Sequence, residues 1–108
     1  MIKTFKAFET YQNQNGYFEN KITQKRFSDL PKGDLLIKVE YSSLNYKDAL
    51  SSSGAKGVTK LYPHTPGIDA AGTIIKSKNK HFKIDDRVIV TGFDLGMDTS
   101  GGFAEYIQ

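Results

Sequence analysis

The segments Ser43-Leu44-Asn45-Tyr46-Lys47-Asp48-Ala49-Leu50 and Pro66-Gly67-Ile68-Asp69-Ala70-Ala71-Gly72 decide the fold of this 108-residue chain. In the first segment, Asn45 is a good helix N-cap, and Asp48 can return a hydrogen bond or oppose the positive end of the helix dipole. We therefore predict a short helix that Gly54 ends. In the second segment, the glycines are expected to serve backbone geometry in a turn that leads into a strand.

The rest of the chain consists of short alternating segments bounded by Gly, Pro, Asn and Asp, a pattern typical of sheet proteins. Asn15-Gly16 predicts a hairpin turn between the first two strands. Apolar and polar residues alternate over 35–41. This pattern predicts a strand with one face in the core, including Tyr41, and the other face exposed to solvent. The apolar segment 87–91 is expected in the interior. The six predicted strands cover 4–9, 17–23, 35–41, 72–76, 87–91 and 103–107.

These elements predict one mainly β domain over residues 1–108, a small, partly open barrel with one or two short helices. A hydrophobic content of 38%, with 7 Phe and 6 Tyr, argues against disorder. The chain has no Cys, which excludes disulfides, thiolate metal sites and cysteine nucleophiles. It shows no leader-like N-terminus and no apolar stretch of membrane-spanning length, so we expect a cytoplasmic protein without a membrane partner.

Two features could be mistaken for binding sites. The net charge of +3 is spread along the chain, so we expect no nucleic-acid partner. The glycine-rich segment 92–102 lacks a dinucleotide or phosphate-loop fingerprint and precedes a strand, so we interpret it as a flexible rim of a cleft.

The connection 51–60 is also expected to be flexible. His64 is interpreted as an exposed loop residue, and His64 with His81 would be too few ligands for a metal.

The order of motifs resembles the N-terminal, GroES-like part of the medium-chain dehydrogenases/reductases. It is most similar to their zinc-independent quinone oxidoreductase branch, especially the acrylyl-CoA reductase type. The motifs are LPKGD (30–34), SSLNYKDAL (42–50), PHTPGIDAAG (63–72), FKIDDRVIVTG (82–92) and GGFAEY (101–106). One departure is Asp85, where the family usually has Gly; Asp tolerates a left-handed φ better than most residues do.

The resemblance implies chemistry without zinc. Zinc-dependent relatives carry Cys where this chain has Asn45 and His where it has Ile68. An amide oxygen is a poor zinc ligand and an alkyl group is none, so we expect no metal site. Asp69 stands where relatives carry Glu beside the metal, and we expect it to pair with a buried donor instead.

The resemblance also implies a fragment of an NADPH-dependent oxidoreductase that reduces a quinone or an activated alkene, such as a 2-enoyl-CoA, by hydride transfer. Tyr46 and Asn45 are the implied cofactor-binding residues. The alternatives are that Tyr46 is a half-buried helical aromatic and Asn45 only a cap. Asp48 is most simply a first-turn carboxylate, and Lys47 a solvated cation. No catalytic acid or base is assigned.

NADP(H) is expected to bind mainly to a Rossmann domain outside these residues, so the chain alone should be inactive. The partners expected are a small-molecule substrate and, for the parent protein, a second copy in a homodimer. Two non-enzymatic alternatives remain open at this point. One is a co-chaperonin-like barrel, which would need an apolar mobile loop; the other is a barrel for single-stranded nucleic acid, which would need exposed aromatic side chains.

Overall fold

A computed structural model describes residues 4–55, 57–92 and 94–108. Lys56 and Phe93, which belong to two of the loops predicted above, lie outside the described residues. The chain begins with an antiparallel hairpin of β1 (Thr4–Gln12) and β2 (Phe18–Arg26), paired from Thr4 opposite Arg26 to Gln12 opposite Phe18. The predicted turn is confirmed, with Gly16 at a φ of 84°. Both strands end three residues later than predicted, because the polar side chains of these residues do not interrupt the backbone pairing.

The second sheet has four strands in the order β5-β4-β3-β6, all antiparallel to their neighbours. A predicted final strand over 103–107 is reduced to two residues, and Ala104 instead bridges Ala7 of the hairpin. The mainly β prediction is confirmed. The remaining elements are a 3-10 turn (Phe27–Asp29), β3 (Leu35–Tyr41), α1 (Tyr46–Ser52), β4 (Asp69–Ser77), β5 (Arg87–Thr91) and β6 (Tyr106–Ile107).

Strand β3 is buried on both faces at its start, which corrects the prediction of one wet side. Leu36 packs in one apolar cluster with Phe5 and Tyr106, whereas its neighbour Ile37 packs in a second cluster with Ile74. A register shift falls between Leu36 and Ile37. The two apolar clusters therefore lie on opposite faces of the four-stranded sheet. The first includes Phe5 of the hairpin, and the second includes Ile74 of β4 with Val88 of β5 packed against it.

Two further burial predictions were wrong. Tyr41 is 72% exposed, because a second register shift, between Val39 and Tyr41, takes the end of β3 out of simple alternation. Strand β5 is not interior: it lies at the edge of its sheet, and Ile89 at its centre is 78% exposed. The expectation for Asp85 is confirmed, since its φ is 76°.

The connection after α1, predicted to be flexible, is fastened to the helix at Thr59. Ser51 still belongs to the helix, and its hydroxyl oxygen lies 2.6 Å from that of Thr59, with both residues buried. The phenol of Tyr62 donates a hydrogen bond of 2.7 Å to the Ser51 carbonyl oxygen. In the part of the chain that the structure describes, no helix is long and apolar enough to cross a membrane.

Candidate functional site

The site is built at the start of α1. Asn45 occupies the N-cap position, and its backbone N–H donates a hydrogen bond of 3.0 Å to the Asp48 carboxylate Oδ2. This contact is the one predicted from the three-residue spacing. It fixes the direction in which the chain enters the helix, and hence the position of Tyr46 as the first helical residue.

Asp48 does more than start the helix. Its side chain is 3% exposed, and its second oxygen, Oδ1, accepts hydrogen bonds from the backbone N–H groups of Gly67 (3.1 Å) and Ile68 (2.9 Å). The carboxylate therefore ties the first segment quoted above to the second. Sequence reasoning missed this role, because the spacing along the chain gives no sign that residue 48 meets residues 67 and 68.

Asp69 holds the stretch just before the helix. Its carboxylate accepts hydrogen bonds from the Ser43 N–H (2.9 Å), the Ser43 hydroxyl (2.5 Å) and the Asn45 amide nitrogen Nδ2 (3.1 Å). The hydroxyl of Ser43, followed by its N–H and the Asn45 amide, lowers the pKa of Asp69 below its usual range. Asp69 does pair with donors, as expected, but they are partly exposed rather than buried.

Above this polar network the surface is open. Tyr46 is 79% exposed and Leu44 is 87% exposed, so the interpretation of Tyr46 as a half-buried aromatic was wrong. Lys47 is also exposed, and its Nζ lies 4.0 Å from the Met97 sulfur. The side chains of Leu44, Tyr46 and Lys47 are thus exposed on the same short stretch of the chain, and the described residues do not bury them.

A cavity of about 500 Å³ lies against the same helix. Its lining is mostly apolar, with the polar groups of Asn45, Asp48 and two serines at its wall. Such a mixture suits a small organic molecule, whose orientation the few polar groups can fix. The lining residues are Phe8, Ser42, Leu44, Asn45, Asp48, Ala49, Ser52 and Phe103.

In the glycine-rich segment, which was interpreted as a flexible rim of a cleft, residues 96–102 pack tightly against the turn at Gly67. Gly67 has a φ of 114°, and a Cβ there would lie 2.6 Å from the Gly102 nitrogen. A Cβ at Gly96 would lie 2.3 Å from the Gly67 carbonyl carbon. Glycine is needed at these contacts because two backbones touch, so the expected geometric role of Gly67 is confirmed.

His64 is buried, not exposed as predicted. Only 6% of the residue is accessible, and its Nε2 lies 2.8 Å from the Gly96 carbonyl oxygen. Burial lowers the pKa of His64 below its ordinary value, against the smaller opposing effect of the Gly96 carbonyl. Its backbone also pairs with Thr10 of the hairpin. His64 therefore joins its own loop to the hairpin and to the glycine-rich segment, and it is not among the residues that line the cavity.

Residues 45 and 68, where zinc-dependent relatives carry ligands, are held by other contacts. The Asn45 amide nitrogen is engaged by Asp69, and Ile68 offers an alkyl side chain. Across residues 4–55, 57–92 and 94–108, no group of three or more His, Cys, Asp or Glu side chains is arranged to hold a metal ion.

The family model for the alcohol dehydrogenase GroES-like domain matches residues 31–108. The chain belongs to this family. Among curated relatives, an acrylyl-CoA reductase of Ruegeria pomeroyi is 38% identical over 92 residues, which are 85% of this chain and 28% of that protein. A putative quinone oxidoreductase of Bacillus subtilis is 46% identical over 78 residues, 72% of this chain and 24% of that protein.

Solved structures give the same relationship for this GroES-like chain. A structure of a Salmonella enterica oxidoreductase in complex with NADP has a TM-score of 0.91 at 36% identity, and the match covers 95% of this chain and 32% of that one. These matches confirm the resemblance to medium-chain dehydrogenases/reductases of the acrylyl-CoA reductase and quinone oxidoreductase type. The chain spans about a quarter to about a third of the length of these relatives.

Proposed function

We propose that this chain forms the nicotinamide-facing and substrate-facing wall of an NADPH-dependent oxidoreductase that reduces a quinone or an activated alkene, such as a 2-enoyl-CoA. The observation that carries the proposal is the pairing of a fixed amide at Asn45 with an open phenol at Tyr46, beside an apolar cavity. The names of the relatives supply the reaction class, and the NADP complex of the Salmonella enterica protein supports the cofactor.

The residues of the site fit one end of a dinucleotide. The exposed ring of Tyr46 and the side chain of Leu44 offer apolar surface to a flat ring, and Asn45 and Tyr46 offer polar groups beside it. In the described part of the chain, the glycine-rich turns do not precede a helix, so they lack the anion-attracting geometry that holds a diphosphate. The remainder of the dinucleotide is assigned to a Rossmann domain elsewhere in the gene product.

When bound, a reduced nicotinamide would supply a hydride to the electron acceptor, and a proton from solvent would complete the reduction. The chain's own contribution is electrostatic. As the acceptor is reduced, negative charge grows on its conjugated oxygen, and a hydrogen-bond donor placed there lowers the barrier. Tyr46 provides such a donor, since its side chain is exposed and its backbone is fixed as the first residue of α1.

The proposed reaction needs no zinc. Asn45 and Ile68 replace the ligand types that zinc-dependent relatives use: the Asn45 amide nitrogen is held by Asp69, and the Ile68 side chain has no ligand atom. Lewis-acid polarisation of the acceptor is therefore replaced by hydrogen bonding. The small-molecule acceptor, a cytoplasmic location and a homodimeric parent are parts of the same proposal.

The test uses the complete gene product, purified and treated with a zinc chelator. Oxidation of NADPH is followed with acrylyl-CoA and, separately, with a benzoquinone. We expect turnover with at least one acceptor and no loss of rate after chelation; a rate that disappears and returns with added zinc would contradict the zinc-free mechanism. Absence of turnover with both acceptors would contradict the proposed reaction.

Removing the phenolic hydroxyl tests the role of Tyr46. For Tyr46→Phe we expect kcat to fall by on the order of a hundredfold, the usual consequence of losing one donor to a developing oxyanion. The matched control is Tyr17→Phe, a tyrosine of similar exposure next to the hairpin turn. Equal effects of the two substitutions would remove Tyr46 from the proposed site.

A further inference from the structure

The hydrogen bonds of Asn45 determine which end of its amide is available to a ligand. An asparagine side chain has two N–H donors on nitrogen and an acceptor oxygen. Here Nδ2 lies 3.1 Å from the Asp69 Oδ2 and 3.2 Å from the Ser43 hydroxyl oxygen. Because an ionised carboxylate only accepts hydrogen bonds, the amide nitrogen must face Asp69. The reverse orientation would set two acceptor oxygens against each other.

Asp69 is itself held in place. The Ser43 N–H donates to Oδ1 and the Ser43 hydroxyl donates to Oδ2, so both oxygens of the carboxylate are oriented by one neighbouring residue. The lowered pKa of Asp69 keeps it an acceptor at neutral pH. Ser43 and Asp69 therefore form a rigid support on one side of the Asn45 amide, and the carbonyl oxygen Oδ1 points away from that support.

The chemistry of the possible ligands identifies the partner of that oxygen. Quinones and conjugated thioesters carry only acceptor oxygens at their reacting ends, and the Asn45 oxygen cannot bind them. The nicotinamide half of a dinucleotide carries hydrogen-bond donors, namely the N–H groups of the carboxamide and the hydroxyls of the ribose. A coenzyme A thioester does carry amide N–H groups, but they lie along its pantetheine arm; of the groups that meet at the reaction centre before reduction, only the nicotinamide half of the cofactor can donate a hydrogen bond to Asn45.

We propose that Asp69 and Ser43 are positioning residues that turn the Asn45 amide so that its carbonyl oxygen accepts a hydrogen bond from a donor on the nicotinamide half of the cofactor. This inference rests on the proposed function. It assigns different ligands to neighbouring residues: Asn45 contacts the cofactor, whereas the Tyr46 hydroxyl is left for the acceptor. It also excludes Asn45 as a donor to the developing oxyanion.

Binding of oxidised cofactor tests the proposal without turnover. The dissociation constants of NADP⁺ and of its 3-acetylpyridine analogue, which keeps the carbonyl but lacks the carboxamide N–H groups, are measured by calorimetry on the complete gene product. Replacing Asn45 by Ala should weaken NADP⁺ binding roughly threefold to tenfold, the range for one hydrogen bond. If the carboxamide is the donor, the wild type discriminates against the analogue and Asn45→Ala does not. If a ribose hydroxyl is the donor, neither protein discriminates, yet Asn45→Ala still binds more weakly.

Two variants test the support itself. Asp69→Asn and Ser43→Ala should each reproduce part of the Asn45→Ala loss, and Ser43→Thr, which keeps the hydroxyl, should restore binding. The control is Asp86→Asn, another carboxylate that accepts a backbone hydrogen bond, from Lys83, in a different loop. Thermal unfolding of each variant separates loss of binding from loss of folding. Unchanged NADP⁺ binding by folded Asn45→Ala and Asp69→Asn would overturn the proposal.

A second readout needs no cofactor. Hydrogen exchange of the Asn45 side-chain amide protons, followed by NMR, should be slow in the wild type and faster in Asp69→Asn. If the amide protons exchange slowly but the wild type does not bind NADP⁺, the orientation of the amide is supported. The contact with the cofactor and the proposed function are then both overturned. Fast exchange in a wild type that binds NADP⁺ would overturn only the support by Asp69.

Discussion

At the scale of single residues, two carboxylates shape the site in different ways. Asp48 is buried and joins the start of α1 to the backbone of the turn at Gly67 and Ile68. Asp69 is more accessible and orients the side chains of Ser43 and Asn45. One carboxylate thus sets the backbone framework of the site and the other sets the direction of a single amide. Substituting Asp48 should therefore affect folding first, and substituting Asp69 should affect binding first.

His64 leads to a prediction about pH. Because burial lowers its folded-state pKa, the unfolded chain takes up a proton more readily, and stability should fall as pH drops below about 6.5, the unperturbed value. Above that pH both states are neutral and the effect disappears. We expect His64→Gln to flatten the dependence of Tm on pH between about 7 and 5, as measured by thermal unfolding at a series of pH values.

The control for this prediction is His81→Gln, which changes an exposed histidine in the loop after β4. It should leave the pH dependence of Tm as it is in the wild type. A wild-type Tm that stays constant down to pH values near 5 would show that protonation of His64 is not linked to unfolding.

At the scale of secondary structure, local signals in the sequence were enough to place most elements. The hairpin turn at Gly16, the strand Leu35–Tyr41 and the helix after Asn45 depend on near neighbours, and all three were predicted. Burial was predicted less well, because it depends on which strands become neighbours. The apolar composition of 87–91 suggested an interior strand, but its position at the edge of the sheet follows from topology.

The same limit applies to the site. Tyr46 and Asn45 were selected through the family resemblance, and their positions on one helix start follow from local spacing. The contacts from Asp48 to Gly67 and from Asp69 to Ser43 join residues that are 19 and 26 positions apart, and no local pattern in the sequence predicts them. The burial of His64 was missed for the same reason, since its partner Gly96 belongs to a distant loop.

Two isoleucines on neighbouring strands test the corrected arrangement of the sheet. Ile74 in β4 is fully buried, and Ile89 in β5 is 78% exposed. We expect Ile74→Ala to lower the free energy of unfolding by about 3 kcal/mol, through lost apolar burial and the cavity left behind. Ile89→Ala should change it by less than about 0.5 kcal/mol. The free energies of unfolding of both variants are measured by chemical denaturation. Equal losses of stability would indicate that β5 is an interior strand.

At the scale of the whole molecule, the domain has two antiparallel sheets, and the turn at Gly67 lies against α1 and the glycine-rich segment. The hairpin contributes Phe8 to the cavity wall, α1 contributes Asn45, and the segment before β6 contributes Phe103. The wall of the proposed site is therefore assembled from three parts of the chain that are distant in sequence. Such a wall can orient a ring and a carbonyl, yet it leaves the opposite side of a bound dinucleotide without contacts from the described residues.

This one-sided arrangement predicts the behaviour of the 108-residue chain by itself. Binding has to overcome the loss of translational and rotational freedom, and one phenol, one amide oxygen and some apolar surface offer few contacts for that. We expect the isolated chain to show no binding of NADPH tighter than about 1 mM and no NADPH oxidation with acrylyl-CoA or a quinone.

Calorimetry and an absorbance assay make the two measurements, after circular dichroism has confirmed a folded β protein. The complete gene product serves as the positive control. Micromolar binding of NADPH by the isolated chain would show that these residues contain a diphosphate site of their own, and the assignment of that site to a separate Rossmann domain would then fail.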